Sequence, residues 1–182
     1  MTNRFRNIIL WVLLLLPYCG CAYLWQWYQA QLQQMQNATV ILISKQEKQL
    51  RVINFRGDEL MCVPVAVGLN PGDKQKQGDM KTPEGVFTVS NIHISGDWKH
   101  DFGDGKGEVE GAYGPYFIRL NTPGYTGIGI HGTHLPSSLG TRATEGCIRL
   151  NNADLERLIP LISLSTVVII TPSSINFNAS GR

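Results

Sequence analysis

The chain carries one cysteine and one histidine in a setting suited to thiol chemistry. Cys147 lies in residues 144–150 (TEGCIRL), sixteen positions after His131. A thiol becomes a strong nucleophile when a nearby imidazole removes its proton, and a glycine-rich turn lets a substrate carbonyl approach closely. These residue types predict acyl transfer through a thioester on Cys147, with His131 as the base.

Two other interpretations of these residues remain open. A free cysteine beside an isoleucine is most often a small buried hydrophobe, and a lone histidine is most often a hydrogen-bonded structural residue. Zinc binding is the second alternative, since the region offers four possible ligands: His131, His134, Glu145 and Cys147. Their spacing matches neither His-Glu-x-x-His nor Cys-x-x-Cys, so the sequence predicts no metal site and no cofactor.

Several ordered motifs around these residues resemble the L,D-transpeptidase catalytic domain, often called the YkuD domain. The matching segments, in chain order, are residues 81–87 (KTPEGVF), 113–115 (YGP), 131–133 (HGT), 138–140 (SLG), 144–150 (TEGCIRL) and 152–154 (NAD). The resemblance covers residues 38–171. It implies a mainly β fold, an L,D-transpeptidase-like β-sandwich or barrel with a short helix after the cysteine.

The resemblance also implies roles in catalysis. Cys147 is the nucleophile, His131 is the base, and the backbone carbonyl of Gly132 orients the imidazole. Backbone N–H groups at Gly146 and Cys147 are natural donors to a developing oxyanion, and a glycine permits the tight approach that such a site requires.

The implied substrates are peptidoglycan stem peptides. A tetrapeptide donor would lose D-alanine to form the thioester, and the side-chain amine of a neighbouring stem would then form a 3-3 cross-link. A hydrolase on the same fold remains an alternative, either an L,D-carboxypeptidase or an amidase that releases peptidoglycan-attached proteins. A non-catalytic wall-binding module is a third possibility, against which the intact His131 and Cys147 argue.

Glu145 departs from the family's usual Ser-His-Gly-Cys run, because a carboxylate replaces a common histidine. If it faced the thiol, Glu145 would raise the pKa of Cys147 by like-charge repulsion. We favour the other outcomes, in which it contacts a substrate ammonium or pairs with Arg149. Arg149 itself is predicted to contact a substrate carboxylate, and a structural ion pair with Glu145 or Asp154 is the alternative.

Two aromatic residues complete the predicted substrate contacts. Trp98 lies in the polar, glycine-rich loop 96–107, which the resemblance implies is a lid over the site. A mobile surface insertion is the alternative interpretation of this loop. Tyr113 stands directly before the Gly-Pro step that leads into the next strand.

Residues 1–28 differ in character from the rest of the chain. Arg4 and Arg6 precede an apolar stretch that begins at Ile8 and continues to about Tyr28, which is long enough to span a bilayer as one helix. We favour a retained single-pass anchor in a bacterial inner membrane, with the catalytic domain on the periplasmic side. A cleaved signal peptide and a lipoprotein signal lipidated at Cys21 are the alternatives.

The rest of the chain divides into a polar tether (29–37), the catalytic domain (38–171) and a polar tail (172–182). β-Branched runs separated by short polar turns predict consecutive antiparallel strands from about residue 39. Asn151 or Asn152 is predicted to cap a short helix over 153–159. The net charge of +2, without a basic stripe of interleaved aromatics, does not indicate nucleic acid binding.

Overall fold

The computed structural model describes residues 20–32, 38–103, 105 and 107–172. They belong to two compact units, one within residues 1–37 and one within 38–182. In the first unit a helix over 20–32, α1, exposes its aromatic side chains, and the Trp25 and Tyr28 ring centroids are 6.4 Å apart.

The transmembrane prediction finds no support in the described part of the chain. No helix there is both long enough and apolar enough to cross a membrane. Residues 1–19 of the predicted anchor, the second half of the tether from 33 to 37, and the tail from 173 onward lie outside the described residues.

The second unit is built around an eight-stranded sheet. Its strands, with two short pairs beside it, are β1 (Thr39–Ser44), β2 (Gln49–Asn54), β3 (Glu59–Pro64), β4 (Val67–Gly68), β5 (Gly85–Ile94), β6 (Lys99–Asp101), β7 (Glu108–Glu110), β8 (Tyr116–Asn121), β9 (Gly129–His131), β10 (Arg142–Thr144), β11 (Ile148–Arg149) and β12 (Val167–Thr171). The order in the main sheet is β11-β9-β8-β5-β12-β1-β2-β3. β4 pairs with β10, and β6 pairs with β7.

Alternating apolar residues give the first three strands and β12 a buried face. Successive side chains of a strand point to opposite faces of a sheet, and the strand register aligns the inward ones in two rows. The rows are Val168, Ile41, Val52, Met61 and Ile170, Ile43, Leu50, Val63. All eight side chains are buried. A shift of one residue in the strand register would move all the apolar side chains of that strand to the solvent-facing side, so burial specifies this register.

The sheet curls until the chain that follows β3 reaches the opposite edge. The Ala66 N–H donates to the Arg149 carbonyl, and the Arg149 N–H donates to the Ala66 carbonyl, both at 2.9 Å. Ala66 comes just after β3 and Arg149 lies in β11, so this pair joins the two edges of the sheet. Cys147, two residues before Arg149, is therefore held where the curl closes.

The prediction of a mainly β domain with a short helix after Cys147 is confirmed. The helix is α2 (Asn152–Leu158), and its cap is Asn151, whose side chain accepts from the Ala153 N–H at 2.9 Å. The predicted lid loop 96–107 contains β6 and leads into β7, and local alternation did not reveal this hairpin because its side chains are mostly exposed. The last strand, β12, runs parallel to β1, a pairing between residues more than a hundred positions apart.

A buried lysine ties β1 to the loop that precedes β5. Lys45 is fully buried, and its Nζ donates to the carbonyls of Gly72 and Thr82 at 2.6 and 2.7 Å and to Glu84 Oε1 at 2.8 Å. Burial lowers the pKa of Lys45, while Glu84 opposes that shift. The ammonium thus replaces its hydration shell with three oxygens of this loop, and the loop is fixed against the sheet.

Lys45→Met should destabilise the domain by about 3 kcal/mol, because it leaves two carbonyls and a largely buried carboxylate without their donor. Urea unfolding followed by circular dichroism measures the change. Lys76→Met, at an exposed position of the same loop, is the matched control and should stay within about 0.5 kcal/mol of wild type. Equal stabilities for the two variants would show that the buried ammonium contributes nothing.

Candidate active site

The structure brings the predicted nucleophile and base to one face of two paired strands. β9 and β11 run parallel, with His131 opposite Arg149 and Ile130 opposite Ile148. Cys147 directly precedes β11, two residues before Arg149. Because side chains alternate along a strand, those of Cys147, Arg149 and His131 lie on the same side of the sheet. All three line a single cleft of about 220 Å³.

One hydrogen bond fixes the tautomer of the His131 ring. Its Nδ1 lies 2.7 Å from the Gly132 carbonyl oxygen. A carbonyl only accepts, so Nδ1 carries the proton and Nε2 is the basic nitrogen. The ring stacks on Phe117, with centroids 5.6 Å apart and planes 7° apart, and meets Tyr113 edge-on at 5.0 Å. These contacts hold the imidazole in one orientation.

Burial keeps the imidazole uncharged. The His131 side chain is only 4% exposed, and this desolvation lowers the pKa of His131 to about 3, with the positive charge of Arg149 acting in the same direction. The bond to the Gly132 carbonyl opposes the shift but does not reverse it. His131 is therefore a neutral base throughout the physiological pH range.

The Cys147 thiol is also uncharged at neutral pH. Its Sγ donates to the Gly127 carbonyl at 3.2 Å. Burial raises the pKa of Cys147 to about 11, and the charge of Glu145 raises it further, whereas a backbone bond at Gly129 and the charges of Arg149 and Lys74 lower it. The resting site is thus a thiol beside a neutral imidazole, rather than an ion pair.

Gly146 is required by space and by backbone conformation. Its φ is +137°, and a Cβ there would lie 2.7 Å from the Lys81 carbonyl oxygen. Its N–H, predicted as an oxyanion donor, donates to Thr144 Oγ1 at 3.2 Å, and that hydroxyl donates to the Cys147 carbonyl at 2.6 Å. The Gly146 N–H therefore already has an acceptor within the turn.

The chain passes very close to itself beside the histidine. A Cβ on Gly132 would lie 2.9 Å from the Gly114 Cα, and a Cβ on Gly114 would lie 2.7 Å from the Gly132 Cα. The Asn152 side-chain oxygen occupies the same space and accepts from the Thr133 N–H at 2.7 Å. The Gly132 N–H donates to the Tyr113 carbonyl at 2.7 Å. Two glycines are needed here because no side chain fits between these strands.

Arg149 has neither of the ion-pair partners considered from the sequence. Glu145 contacts His100, and Asp154 pairs with Arg157 at 3.0 Å. The Arg149 side chain is 5% exposed, its Nη1 donates to Ser138 Oγ at 3.1 Å, and its Nε has no partner. A structural pair of Arg149 with Glu145 or Asp154 is therefore wrong, and a buried guanidinium faces the cleft without a carboxylate among the described residues.

Glu145 turns toward the lid hairpin. Its Oε1 lies 3.4 Å from His100 Nε2, and His100 Nδ1 lies 2.9 Å from the Tyr113 hydroxyl oxygen. Trp98, predicted as a substrate contact, packs edge-on against Tyr113 at 5.9 Å and lies 5.6 Å from the Phe117 ring. All of these side chains line the cleft. The lid loop thus supplies part of the wall of the site.

Two residues of this site were not singled out from the sequence. His100 is the neighbour of Glu145, and the available signal was its place between two aromatic residues of the lid. Lys74 is 99% buried, pairs with Asp79 at 2.8 Å, and lies 5.7 Å above the Tyr125 ring. Its long polar loop carries no periodic pattern, so nothing local predicts that this lysine is buried.

The four residues considered as zinc ligands do not form a metal site in the structure. Within the described residues, no group of three or more His, Cys, Asp or Glu side chains is arranged to hold a metal ion.

Comparisons with known sequences point to one family. The model of the L,D-transpeptidase catalytic domain, YkuD, matches residues 38–170. Two relatives carry the description "Putative L,D-transpeptidase": YkuD of Bacillus licheniformis, 42% identical over 92 residues, and YqjB of Bacillus subtilis, 31% identical over 130 residues. The first match covers 50% of this chain and 46% of the relative, about half of its length. The second covers 69% and 73%.

Solved structures show the same fold. The helical cell shape determining protein Pgp2 from Campylobacter jejuni is 27% identical with a TM-score of 0.55, over 76% of this chain and 49% of that chain. L,D-transpeptidase 3 from Mycobacterium tuberculosis is 19% identical with a TM-score of 0.55, over 74% and 61%. The family model spans most of the chain and the YqjB match spans over two thirds of both proteins, and so this chain belongs to the YkuD family of L,D-transpeptidase catalytic domains.

Proposed function

We propose that this protein is a peptidoglycan L,D-transpeptidase that forms an acyl-enzyme on Cys147. The observation that supports this most directly is the shared cleft of Cys147 and His131, in which the Gly132 carbonyl leaves the imidazole Nε2 free to act as a base. Family membership supports the same reaction class.

The first step must begin from two neutral groups. His131 takes the proton of the Cys147 thiol as the sulfur attacks the substrate carbonyl, so the thiolate exists only during the attack. The C–S bond forms, the amide C–N bond breaks, and the departing amine of D-alanine takes the proton. A partly buried thiol of raised pKa suits this concerted transfer, because the thiolate is a stronger nucleophile when it is poorly solvated and highly basic.

The oxyanion needs donors that are free to reach it. We assign this role first to the Cys147 N–H, at the position where a substrate carbonyl meets the sulfur. The Gly146 N–H could join it only by leaving Thr144 Oγ1.

The cleft offers a place for the charged groups of a stem peptide. Arg149 is buried and lacks a carboxylate partner among the described residues, so a carboxylate of the donor would relieve the cost of its burial. Trp98 and Tyr113 form an aromatic wall that would contact the peptide. The second step transfers the acyl group from sulfur to the amine of a neighbouring stem, which gives a 3-3 cross-link.

Localisation follows from the substrate. Peptidoglycan lies outside the cytoplasmic membrane, so the catalytic domain must act there. We propose that the apolar segment predicted within residues 1–28 anchors the protein in the inner membrane, with the catalytic domain in the periplasm.

Muropeptide mass spectrometry tests the proposal. Full-length protein incubated with disaccharide tetrapeptide should yield a cross-linked dimer that has lost one D-alanine. Tripeptide alone would identify an L,D-carboxypeptidase instead, and unchanged substrate would support a binding module.

Cys147→Ala should abolish product formation, and His131→Gln should reduce it by about 10³-fold, since each removes one partner of the thiol–imidazole pair. The rate of D-alanine release measures both. His134→Gln, at an exposed position three residues further on, is the matched control and should remain within threefold of wild type. Comparable losses for the two histidine variants would contradict the assignment of His131 as the base.

Alkylation of Cys147 by iodoacetamide should keep rising with pH beyond 9, because only the thiolate reacts and burial raises the pKa of Cys147 to about 11. Peptide mass spectrometry separates Cys147 from the other thiols. Glu145→Gln should shift the profile to lower pH yet leave its midpoint above 9, because burial contributes more than the Glu145 charge. Glu110→Gln, which changes an exposed carboxylate on β7, should leave the profile unchanged. A plateau near pH 7 in wild type would show that the thiol rests as an ion pair.

A further inference from the structure

Three side chains form a hydrogen-bonded chain across the cleft, separate from the Cys147–His131 pair. Glu145 comes from the turn before Cys147, His100 from β6 in the lid, and Tyr113 from the turn between β7 and β8. The Glu145 carboxylate lies 3.4 Å from His100 Nε2, and His100 Nδ1 lies 2.9 Å from the Tyr113 hydroxyl. The thiol chemistry described above does not use these three hydrogen-bonded side chains.

These three side chains can carry a proton while both hydrogen bonds between them remain in place. A carboxylate only accepts, so His100 Nε2 carries a hydrogen toward Glu145. In the neutral ring Nδ1 then accepts from the Tyr113 hydroxyl, and in the doubly protonated ring Nδ1 donates to the hydroxyl oxygen. Both states keep both hydrogen bonds. This is the arrangement in which an imidazole accepts a proton at one nitrogen while a carboxylate stabilises the resulting charge at the other.

Tyr113 is held beside the imidazole of His131. Its carbonyl accepts from the Gly132 N–H at 2.7 Å, and its ring meets the His131 ring at 5.0 Å. Burial raises the pKa of Tyr113, and negative charge on Cys147 and Glu145 adds to the shift. The hydroxyl therefore stays protonated, and Tyr113 lines the same cleft as Cys147.

The charges of the cleft give it two sides. Among the described residues that line it, three are permanent cations, Lys74, Arg119 and Arg149, whereas Glu145 is the one carboxylate. The Glu145 side chain is 51% exposed and that of His100 is 26% exposed, while His131 is buried. A cation that enters from solvent is therefore attracted to the Glu145 end and meets His100 before it reaches the thioester.

The second step of transpeptidation poses a proton problem. An aliphatic amine has a pKa of about 10 and enters as an ammonium at neutral pH, which cannot attack a thioester. His131 Nε2 serves the Cys147 sulfur, because it takes the proton that the neutral amine releases as it attacks, so the ammonium must already have lost its first proton to another group. A second base within the cleft is needed.

We propose that Glu145, His100 and Tyr113 bind the acceptor ammonium and remove its proton before it attacks the thioester. The ammonium N–H passes its proton to the Tyr113 oxygen as the hydroxyl proton moves to His100 Nδ1, which leaves a neutral amine and an imidazolium facing Glu145. The amine then attacks, its C–N bond forms and the C–S bond breaks, while His131 Nε2 takes the proton that the attacking nitrogen releases and passes it to the departing Cys147 sulfur. His100 returns its proton to solvent at the exposed side of the cleft. The inference rests on the proposed transpeptidase function. It makes these three side chains the reason that the acyl-enzyme reacts with an amine rather than with water.

A matched pair of amines tests this proposed proton path in the full-length protein. The acyl-enzyme is first formed with a small thioester donor and confirmed by intact mass, and its decay is then followed at pH 7 with ethylamine, with 2,2,2-trifluoroethylamine or with water alone. Ethylamine is an ammonium at this pH, whereas the trifluoro analogue is mostly the free amine. Only the first needs a base before it can attack.

His100→Gln and Tyr113→Phe should each slow transfer to ethylamine at least tenfold, with less than a threefold effect on transfer to trifluoroethylamine and on hydrolysis. Glu145→Gln should raise the KM for ethylamine and leave that for the neutral amine unchanged. The double variant His100→Gln/Tyr113→Phe should be no slower than either single variant, because both act through one proton path. Tyr116→Phe, the same change outside the cleft, and Glu110→Gln are the controls.

Equal losses with both amines and with water would show that these residues only shape the cleft and would overturn the inference. Undiminished transfer to ethylamine in the variants would overturn it as well. If the wild-type acyl-enzyme decays only by hydrolysis, the proposed proton path is refuted, while the proposed thiol chemistry still stands. Failure of the wild-type protein to form an acyl-enzyme would instead refute the proposed function, and the inference with it.

Discussion

The peptide of Gly132 fixes the candidate site from two sides. Its carbonyl accepts from His131 Nδ1, and its N–H donates to the Tyr113 carbonyl, each at 2.7 Å. The first bond sets which imidazole nitrogen is basic, and the second holds the backbone of Tyr113 against the segment that carries this base. Both depend on the absence of a side chain at Gly132 and Gly114, where the two chain segments touch. A single backbone contact therefore positions both the base and the proposed acceptor site.

Desolvation then determines the chemistry. Burial lowers the pKa of His131 and raises that of Cys147, so both groups rest uncharged although three cations line the same cleft. A site of this kind generates its thiolate only when a carbonyl is in place, which protects the thiol from unproductive reactions. His131 serves the sulfur in both steps, and the proposed proton path through the more exposed Glu145 and His100 serves the acceptor ammonium.

The departure at Glu145 has a structural counterpart in the lid. Sequence reasoning considered the thiol, Arg149 and a substrate ammonium as its neighbours, but the carboxylate contacts His100. Forty-four residues lie between His100 and Glu145 in the sequence, and only the folding of the β6–β7 hairpin over the cleft brings the two together. The exposed hairpin has no alternation of buried side chains, so its strands could not be predicted from periodicity.

The sequence by itself determined the meander of β1 to β3, a helix cap at Asn151 or Asn152, the family and the pair of residues most suited to thiol chemistry. These features rest on local pattern. The patterns are the alternation of apolar residues, a capping side chain, and short motifs that follow one another in the order expected for the family. Tertiary structure alone decided the parallel pairing of β1 with β12, the closure of the sheet through Ala66 and Arg149, and the burial of Lys45 and Lys74. It also decided every pKa in the cleft, because desolvation and the distances between charges exist only after distant segments have packed together.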